Sequence, residues 1–295
     1  MTHVLTYALV TPAKNEVENL RRLAAALAEQ TVRPEVWVIV DNGSTDETPE
    51  VAAELAAQHD WIRVTAVPGD TMAPGAPVVR AFHAGLALIE DRLPDVVVKL
   101  DADVSFEPAY FERQLDAFVA DPELGISSGV CYELEDGEWV PKHVTVGHVR
   151  GATRAYRRDC LRLVTPLPEV VGWDGVDELK ASVHGWRTYI VADLPFYHHR
   201  LVGARDGAPT KRWLAEGRCA HYMDYTVTYL LARTFGRAVR DRDLAVFAML
   251  WGFATAKAKR EPVYEDREVR DYLRRQQRIR HLPHRMLESF GRRAA

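Results

Sequence analysis

Residues 96–106 read VVVKLDADVSF. A short β-branched run of this kind, bounded by polar residues, reads as a buried strand. It ends in two carboxylates one residue apart, Asp101 and Asp103. Ionised carboxylates are costly to bury unless they are paired or hold a metal. At the end of a strand such a pair can grip a hard divalent cation and leave its other positions for water and phosphate oxygens.

The residues before this strand alternate between two periods. Val4–Val10, Val36–Val40 and the weaker Ile62–Val67 are strand candidates. Leu20, Leu23, Ala24 and Leu27 recur at helical spacing, as do Val51, Ala52 and Leu55, and Val79, Phe82, Leu86 and Ile89. Ser44 and Glu47 predict a capping box for the second helix. Phe111, Leu115, Phe118 and Val119 mark a helix after Pro108, and Ile126–Tyr132 reads as another strand. This alternation argues for an α/β fold, a mostly parallel sheet flanked by helices. Ligands of such sheets bind beyond the carboxyl ends of the strands.

Two further polar clusters fall at predicted strand ends. TPAKNE at 11–16 follows the first strand: Pro12 and Ala13 allow close approach, and Asn15 and Glu16 can hydrogen-bond a base or ribose. Asn15 is equally suited to cap the next helix. The cluster from Asp41 to Asp46 follows the second strand, where Asp41 and Asn42 can read a pyrimidine edge or simply cap the helix beyond. The fold brings both clusters beside Asp101 and Asp103.

Periodicity is weaker over 133–172. Leu179–Gly185 looks helical and Thr188–Ala192 looks like a strand. Beyond residue 206 the chain turns helical, with apolar patterns over Tyr222–Val239 and Leu244–Ala258 and a charged helix over Arg270–Arg280. A net charge of −4 hides an asymmetry: from Lys257 onward the balance is +6, leaving −10 elsewhere. A basic tail can touch acidic head groups, although mixed charge runs are commonly solvated faces. The three cysteines, Cys131, Cys160 and Cys219, lack zinc-type spacing and read as free thiols in a reducing compartment. No basic-then-apolar leader and no membrane-spanning apolar stretch is visible, so a cytoplasmic location is expected.

Taken as an ordered set, VTPAKNEVENL, VIVDNGSTDET, VVVKLDADVSFEP and GWDGVDELKASVHGWRT resemble the family 2 glycosyltransferases of GT-A fold, over roughly residues 4–200. The resemblance implies a glycosyltransferase domain over 1–205 and a helical C-terminal extension over 206–295. It implies a nucleotide-sugar donor, a divalent metal (Mn²⁺ or Mg²⁺) as cofactor, and inverting transfer to a glycan or lipid-linked acceptor of cell-envelope type, with no nucleic-acid partner. Pro12, Ala13 and Glu16 match the segment lining the nucleotide pocket, and Asp41 and Asn42 match the pair on base and ribose. Many relatives carry Asp where Asn42 stands. Arg80 matches a base that contacts the pyrophosphate, and Arg200 and Arg205 can close on the same group. Asp103 matches the direct metal ligand, with Asp101 beside it on the donor side. His198 or His199 matches a third metal ligand, and neighbours on a strand face opposite ways. Gly151, Thr153 and Arg154 fall where relatives place a loop near the acceptor.

Inverting transfer needs a carboxylate to take the acceptor's proton. Relatives often use the Asp of a Glu-Asp pair ahead of a helix ending in Gly-Tyr or Gly-Trp. Here the helix ends at Gly185-Trp186, and the acids ahead of it are Asp174, Asp177 and Glu178. Asp177 is favoured, with Asp174 and Glu178 as alternatives. Trp251 with Lys257, Lys259 and Arg260 suits a membrane interface, so the C-terminal helices are expected to pack or to touch the membrane's inner face. Two competing readings stand beside the enzyme. A haloacid-dehalogenase-type phosphatase begins with a similar acidic motif, but that motif normally follows the first strand. A catalytically degenerate nucleotide-sugar-binding or scaffolding member is the other.

Overall fold

The computed structural model describes residues 5–69, 76–142, 148–200 and 209–278. The expected roles of Val4, Arg205 and the tail beyond residue 278 lie outside these residues. The period-two runs become strands: β1 (Tyr7–Ala13), β2 (Val36–Asp41), β3 (Ile62–Ala66) and β4 (Val96–Leu100). Their side chains alternate between two cores. Leu9, Trp37, Ile39, Val96 and Val98 pack on one face of the sheet with α1 (Val17–Ala28), α2 (Thr48–Gln58) and α4 (Tyr110–Ala120). Ala8, Val10, Val38, Val40 and Val97 pack on the other with α3 (Ala76–Ala87), α5 (Arg158–Val164) and α6 (Trp173–Val183).

The remaining strands are β5 (Val104–Phe106), β6 (Leu124–Glu135), β7 (Glu138–Pro141), β8 (Thr153–Arg157) and β9 (Arg187–His198). Sheet order is β3-β2-β1-β4-β8-β6-β9-β5, with β7 paired to β6. β1 pairs in parallel with β2 and β4, and β2 with β3. Beyond β4 the directions mix: β8 is antiparallel to β4 and β6, while β6 and β9 are parallel. The carboxyl ends of β1, β2 and β4 therefore open on one edge.

Several sequence expectations shift. The capping box at Ser44–Glu47 does not form. The Ser44 amide donates to Asp41 Oδ1, the Ser44 hydroxyl accepts from the Asn15 amide, and α2 begins at Thr48, whose amide donates to Asp46. β8 was not expected, because its inward residues include an arginine. α6 starts at Trp173 rather than near Leu179, so Asp174, Asp177 and Glu178 lie inside the helix and not ahead of it.

The C-terminal helices are α7 (Pro209–Tyr222), α8 (Val227–Asp241), α9 (Ala248–Ala258) and α10 (Arg267–Gln276). The pattern over Tyr222–Val239 is thus broken at Met223–Thr226, where Asp224 takes a left-handed conformation. These helices join the core of the first half: Val176 of α6 packs with Met223, Val269 and Leu273. Gly172, at φ +79°, lies so close to α7 that a Cβ would stand 2.7 Å from Cys219 Sγ. The shared core predicts one cooperative unfolding transition. Met223→Ala should lower stability by about 2–5 kcal/mol and shift that transition as a whole in thermal unfolding. A separate early transition confined to the C-terminal helices would contradict it.

Candidate active site

The ends of β1 and β2 are tied together by polar contacts. Asn15, left-handed at φ +55°, accepts the Thr45 amide at 2.8 Å, and the Thr48 hydroxyl accepts the Glu16 amide at 2.7 Å. Asp41 lies opposite Ala13 across the strand pair. Its carboxylate accepts the amides of Gly43 and Ser44 at 3.2 Å each. Gly43, at φ +68°, approaches Gly69 so closely that a Cβ would overlap it at 2.2 Å. The side-chain amide of Asn42 makes no hydrogen bond among the described residues. Pro12 is half-buried and Ala13 buried at the same edge.

The acidic pair after β4 is held by two cations and a histidine. Lys99, buried within the apolar run, bonds Asp101 and donates to the Gly151 carbonyl at 3.0 Å. His198 Nε2 stands 3.2 Å from Asp103 Oδ1, and Arg200 stands 3.2 Å from Asp103 Oδ2. Burial opposes ionisation of Asp103, but His198 and Arg200 outweigh it and hold the carboxyl below the usual range. Asp103 in turn draws His198 upward against its burial. Arg200 also grips both Glu16 oxygens at 2.9 and 2.8 Å, joining the β1 end to the acidic pair. Sequence reasoning missed Lys99. A lone lysine in a buried strand needs an acid partner, and Asp101 two residues on faces the same side.

The tandem histidines divide. His198 faces the acidic pair, whereas His199 is exposed, with Nε2 2.7 Å from the Ser105 hydroxyl and its ring edge-on to Trp139. Asp101, Asp103 and His198 each offer a donor atom, all within 4.8 Å of one another. Two carboxylates and one imidazole fit Mn²⁺ or Mg²⁺. Arg80 is not drawn to this group. It donates to Glu169 at 3.0 Å.

The acids of α6 separate sharply. Arg154, fully buried on β8, donates to both Asp177 oxygens at 2.6 and 3.0 Å, to Glu178 at 3.0 Å, to the Asp174 carbonyl at 2.7 Å and to the Val149 carbonyl. The Tyr156 hydroxyl donates to Asp177 at 2.6 Å. Glu178 further accepts the Val149 amide at 2.6 Å and stands 3.0 Å from His148 Nδ1. Burial pushes the Asp177 carboxyl up to about 7, against the pull of Arg154. That value would suit a base, but a base must first reach the proton. Asp177 has no exposed side-chain surface and both its oxygens are engaged. The residue favoured from sequence is therefore a structural anchor in this arrangement. The reason is that its helix begins early enough to turn Asp177 inward onto Arg154.

Asp174 differs. It lies in the first turn of α6, only part-buried, and its carboxylate makes no hydrogen bond or ion pair among the described residues. A Cβ on Gly151 would stand 3.8 Å from its carboxylate oxygen. The carbonyl of that same Gly151 accepts from Lys99, the partner of Asp101. Asp174 thus borders the acidic edge. Thr153 and Arg154, read from sequence as part of an acceptor loop, are buried in β8.

The curled, mostly parallel sheet flanked by helices is a GT-A fold. The profile of Glycosyl transferase family 2 matches residues 8–164, and the chain belongs to that family; it is a glycosyltransferase. It is 23% identical over 245 residues to glycosyltransferase AglE of Haloferax volcanii, covering 82% of this chain and 72% of the relative. It is 27% identical over 141 residues to AglD of the same organism, covering 46% of this chain and 20% of that longer relative. Among solved structures, the Pyrobaculum calidifontis mannosyltransferase PcManGT, in complex with GDP-Man and Mn²⁺, aligns at TM-score 0.55 and 17% identity. That alignment covers 98% of this chain and 87% of the other. S. aureus TarS 1-349 in complex with UDP-GlcNAc aligns at TM-score 0.58 and 16% identity, covering 98% and 93%.

The division of the acids generates a stability test. Asp177→Ala leaves Arg154 buried with its main counter-charge removed and should cost about 3–5 kcal/mol in denaturant unfolding. Asp174→Asn, at a part-exposed and unpaired position, should stay within about 0.5 kcal/mol of wild type. Equal losses in the two variants would contradict the assignment.

Proposed function

We propose that the protein is an inverting, divalent-metal-dependent glycosyltransferase that moves a sugar from a nucleoside-diphosphate sugar to an acceptor hydroxyl, with Asp174 as the base. The carrying observation is that, among the described residues, Asp174 alone of the three α6 acids has a carboxylate with no hydrogen bond or ion pair, and it borders the Lys99–Asp101 pair across Gly151. The altered Glu-Asp order, which motivated a degenerate reading, leaves this acid in place.

The nucleotide lies along the ends of β1 and β2. Pro12 and Ala13 form its floor, Asp41 and the unengaged amide of Asn42 meet base and ribose, and Glu16 shapes the ribose side through Arg200. Asp101, Asp103 and His198 would hold Mn²⁺ or Mg²⁺, which when bound supplies charge neutralisation for the departing diphosphate. Burial pushes the Asp101 carboxyl up; Lys99 opposes that and orients the carboxyl toward the donor. Arg200 offers a guanidinium to diphosphate oxygens from the opposite side. Asp174 accepts the proton of the acceptor hydroxyl as that oxygen attacks the anomeric carbon. One base and a single displacement give inversion. GDP-mannose and UDP-N-acetylglucosamine, bound by the aligned structures, are the first donors to test.

The acceptor is a glycan or lipid-linked chain of the cell envelope, met at a membrane surface. No helix among the described residues is long and apolar enough to cross a membrane. Instead Val227, Leu231, Phe235 and Val239 form an exposed apolar stripe at four-residue spacing on α8. Trp251 is exposed on α9, close in sequence to exposed Lys257, Lys259 and Arg260. An apolar face with basic neighbours suits the head-group boundary of an anionic bilayer.

Thermal shift with UDP, GDP and dTDP, each with and without Mn²⁺, tests the donor site. At a ligand concentration 100 times Kd the cognate nucleotide should stabilise by about 2.7 kcal/mol. The metal-dependent part should vanish in Asp103→Ala, and its persistence there would refute the metal assignment. For the membrane reading, Leu231→Glu with Phe235→Glu should abolish flotation with anionic vesicles without altering nucleotide binding. Unchanged flotation would exclude the α8 face.

A further inference from the structure

Beside the Asp101–Asp103–His198 group lies a buried acid that the proposed mechanism does not use. β6 and β9 pair in parallel with Glu133 directly opposite His198. Cys131, Glu133 and His198 each bring a donor atom within 4.8 Å of the others. His198 turns Nε2 to Asp103, yet its Nδ1 is sealed from solvent and has no hydrogen-bond partner among the described residues. A buried polar atom left in this way costs about 1–3 kcal/mol. Of the two side chains grouped with His198 on this side, the buried Glu133 carboxylate is the stronger acceptor, since a thiol is a weak one.

We propose that Glu133 is a positioning residue for the metal site: it accepts the Nδ1–H of His198 and so fixes the tautomer that presents the Nε2 lone pair toward Asp101 and Asp103. The inference rests on the reading of that group as a divalent-metal site. Its chemistry is general. The ring nitrogen that is not bound to a metal donates to a carboxylate, which orients the ring and raises its basicity. Two cations hold Glu133 ready for this role, Arg150 at 3.4 Å and Lys142 at 3.9 Å. The same two cations oppose a second metal ion at Cys131, Glu133 and His198, because the positive charge there is already supplied.

The test is calorimetric titration of Mn²⁺ into the full chain, in wild type, Glu133→Ala, Glu133→Gln, His198→Ala and the Glu133→Ala/His198→Ala pair. Glu133→Ala should weaken binding by about 10–100-fold, the range seen for such outer partners, and Glu133→Gln should recover most of it because the amide oxygen still accepts Nδ1–H. The double variant should lose no more than His198→Ala alone. Wild-type affinity in Glu133→Ala would overturn the proposal, and so would equal losses in the Ala and Gln variants. A full Glu133→Ala loss that persists without His198 would make the effect one of charge only and overturn it as well. Two bound ions in wild type would make the cluster a ligand set instead. A wild type that binds no Mn²⁺ would sink the metal reading itself, a result distinct from a wild type that binds and a Glu133→Ala variant that matches it.

Discussion

The buried guanidinium of Arg154 is the interaction on which the site depends. A charge with no exposed surface is tolerable only when its donors are satisfied and its charge is matched. Arg154 meets both conditions through Asp177, Glu178, Tyr156 and two main-chain carbonyls. These partners belong to three pieces of structure: β8, α6 and the segment at residues 148–149. The pair therefore sets the depth and rotation of α6 on the sheet. By binding the Asp174 carbonyl it also sets where the first turn of that helix ends up.

A second constraint follows from strand pairing. Lys99 and Arg154 are direct neighbours across β4 and β8, and like charges in that relation repel. They coexist because each has its own acid partners. Lys99 turns to Asp101 at the edge, and Arg154 turns to the α6 acids in the interior. Gly151 sits between these two systems, its carbonyl on Lys99 and its Cα beside Asp174. The Trp173 ring faces both cations, at 5.8 Å from Lys99 and 5.7 Å from Arg154. Acids that look equivalent in sequence thereby differ: two are bound into the scaffold, and the third has a carboxylate with no hydrogen bond or ion pair among the described residues.

Most of the proposed nucleotide half lies on elements that were legible in the sequence because they obey simple patterns. β1, β2 and β4 are apolar runs with polar ends, and topology forces those ends together. The proposed proton-accepting half was less legible because its elements are set by a buried ion pair. Arg154 interrupts the alternation of β8 and hid that strand. Asp177 and Glu178 look like the solvated face of a helix, so α6 was expected to begin six residues later than it does. The signal that was available is the spacing of Arg154 and Tyr156, two apart and hence on one face, which asks for an acid opposite. Among the histidines, pattern alone required that the two face apart, and the contact of His198 Nε2 with Asp103 Oδ1 assigns that residue to the acidic pair.

The C-terminal helices extend the same logic. Their core is continuous with α6 through Val176, so the region beyond the family match supports the helix that carries Asp174. The most direct measurement is the transfer rate of Asp174→Asn at saturating donor and metal, with nucleotide binding measured in parallel. A fall of about 10²–10⁴-fold with nucleotide affinity unchanged is the result expected for loss of a general base. Turnover at the wild-type rate would contradict the assignment of Asp174 and, with it, the division of the α6 acids into scaffold and base.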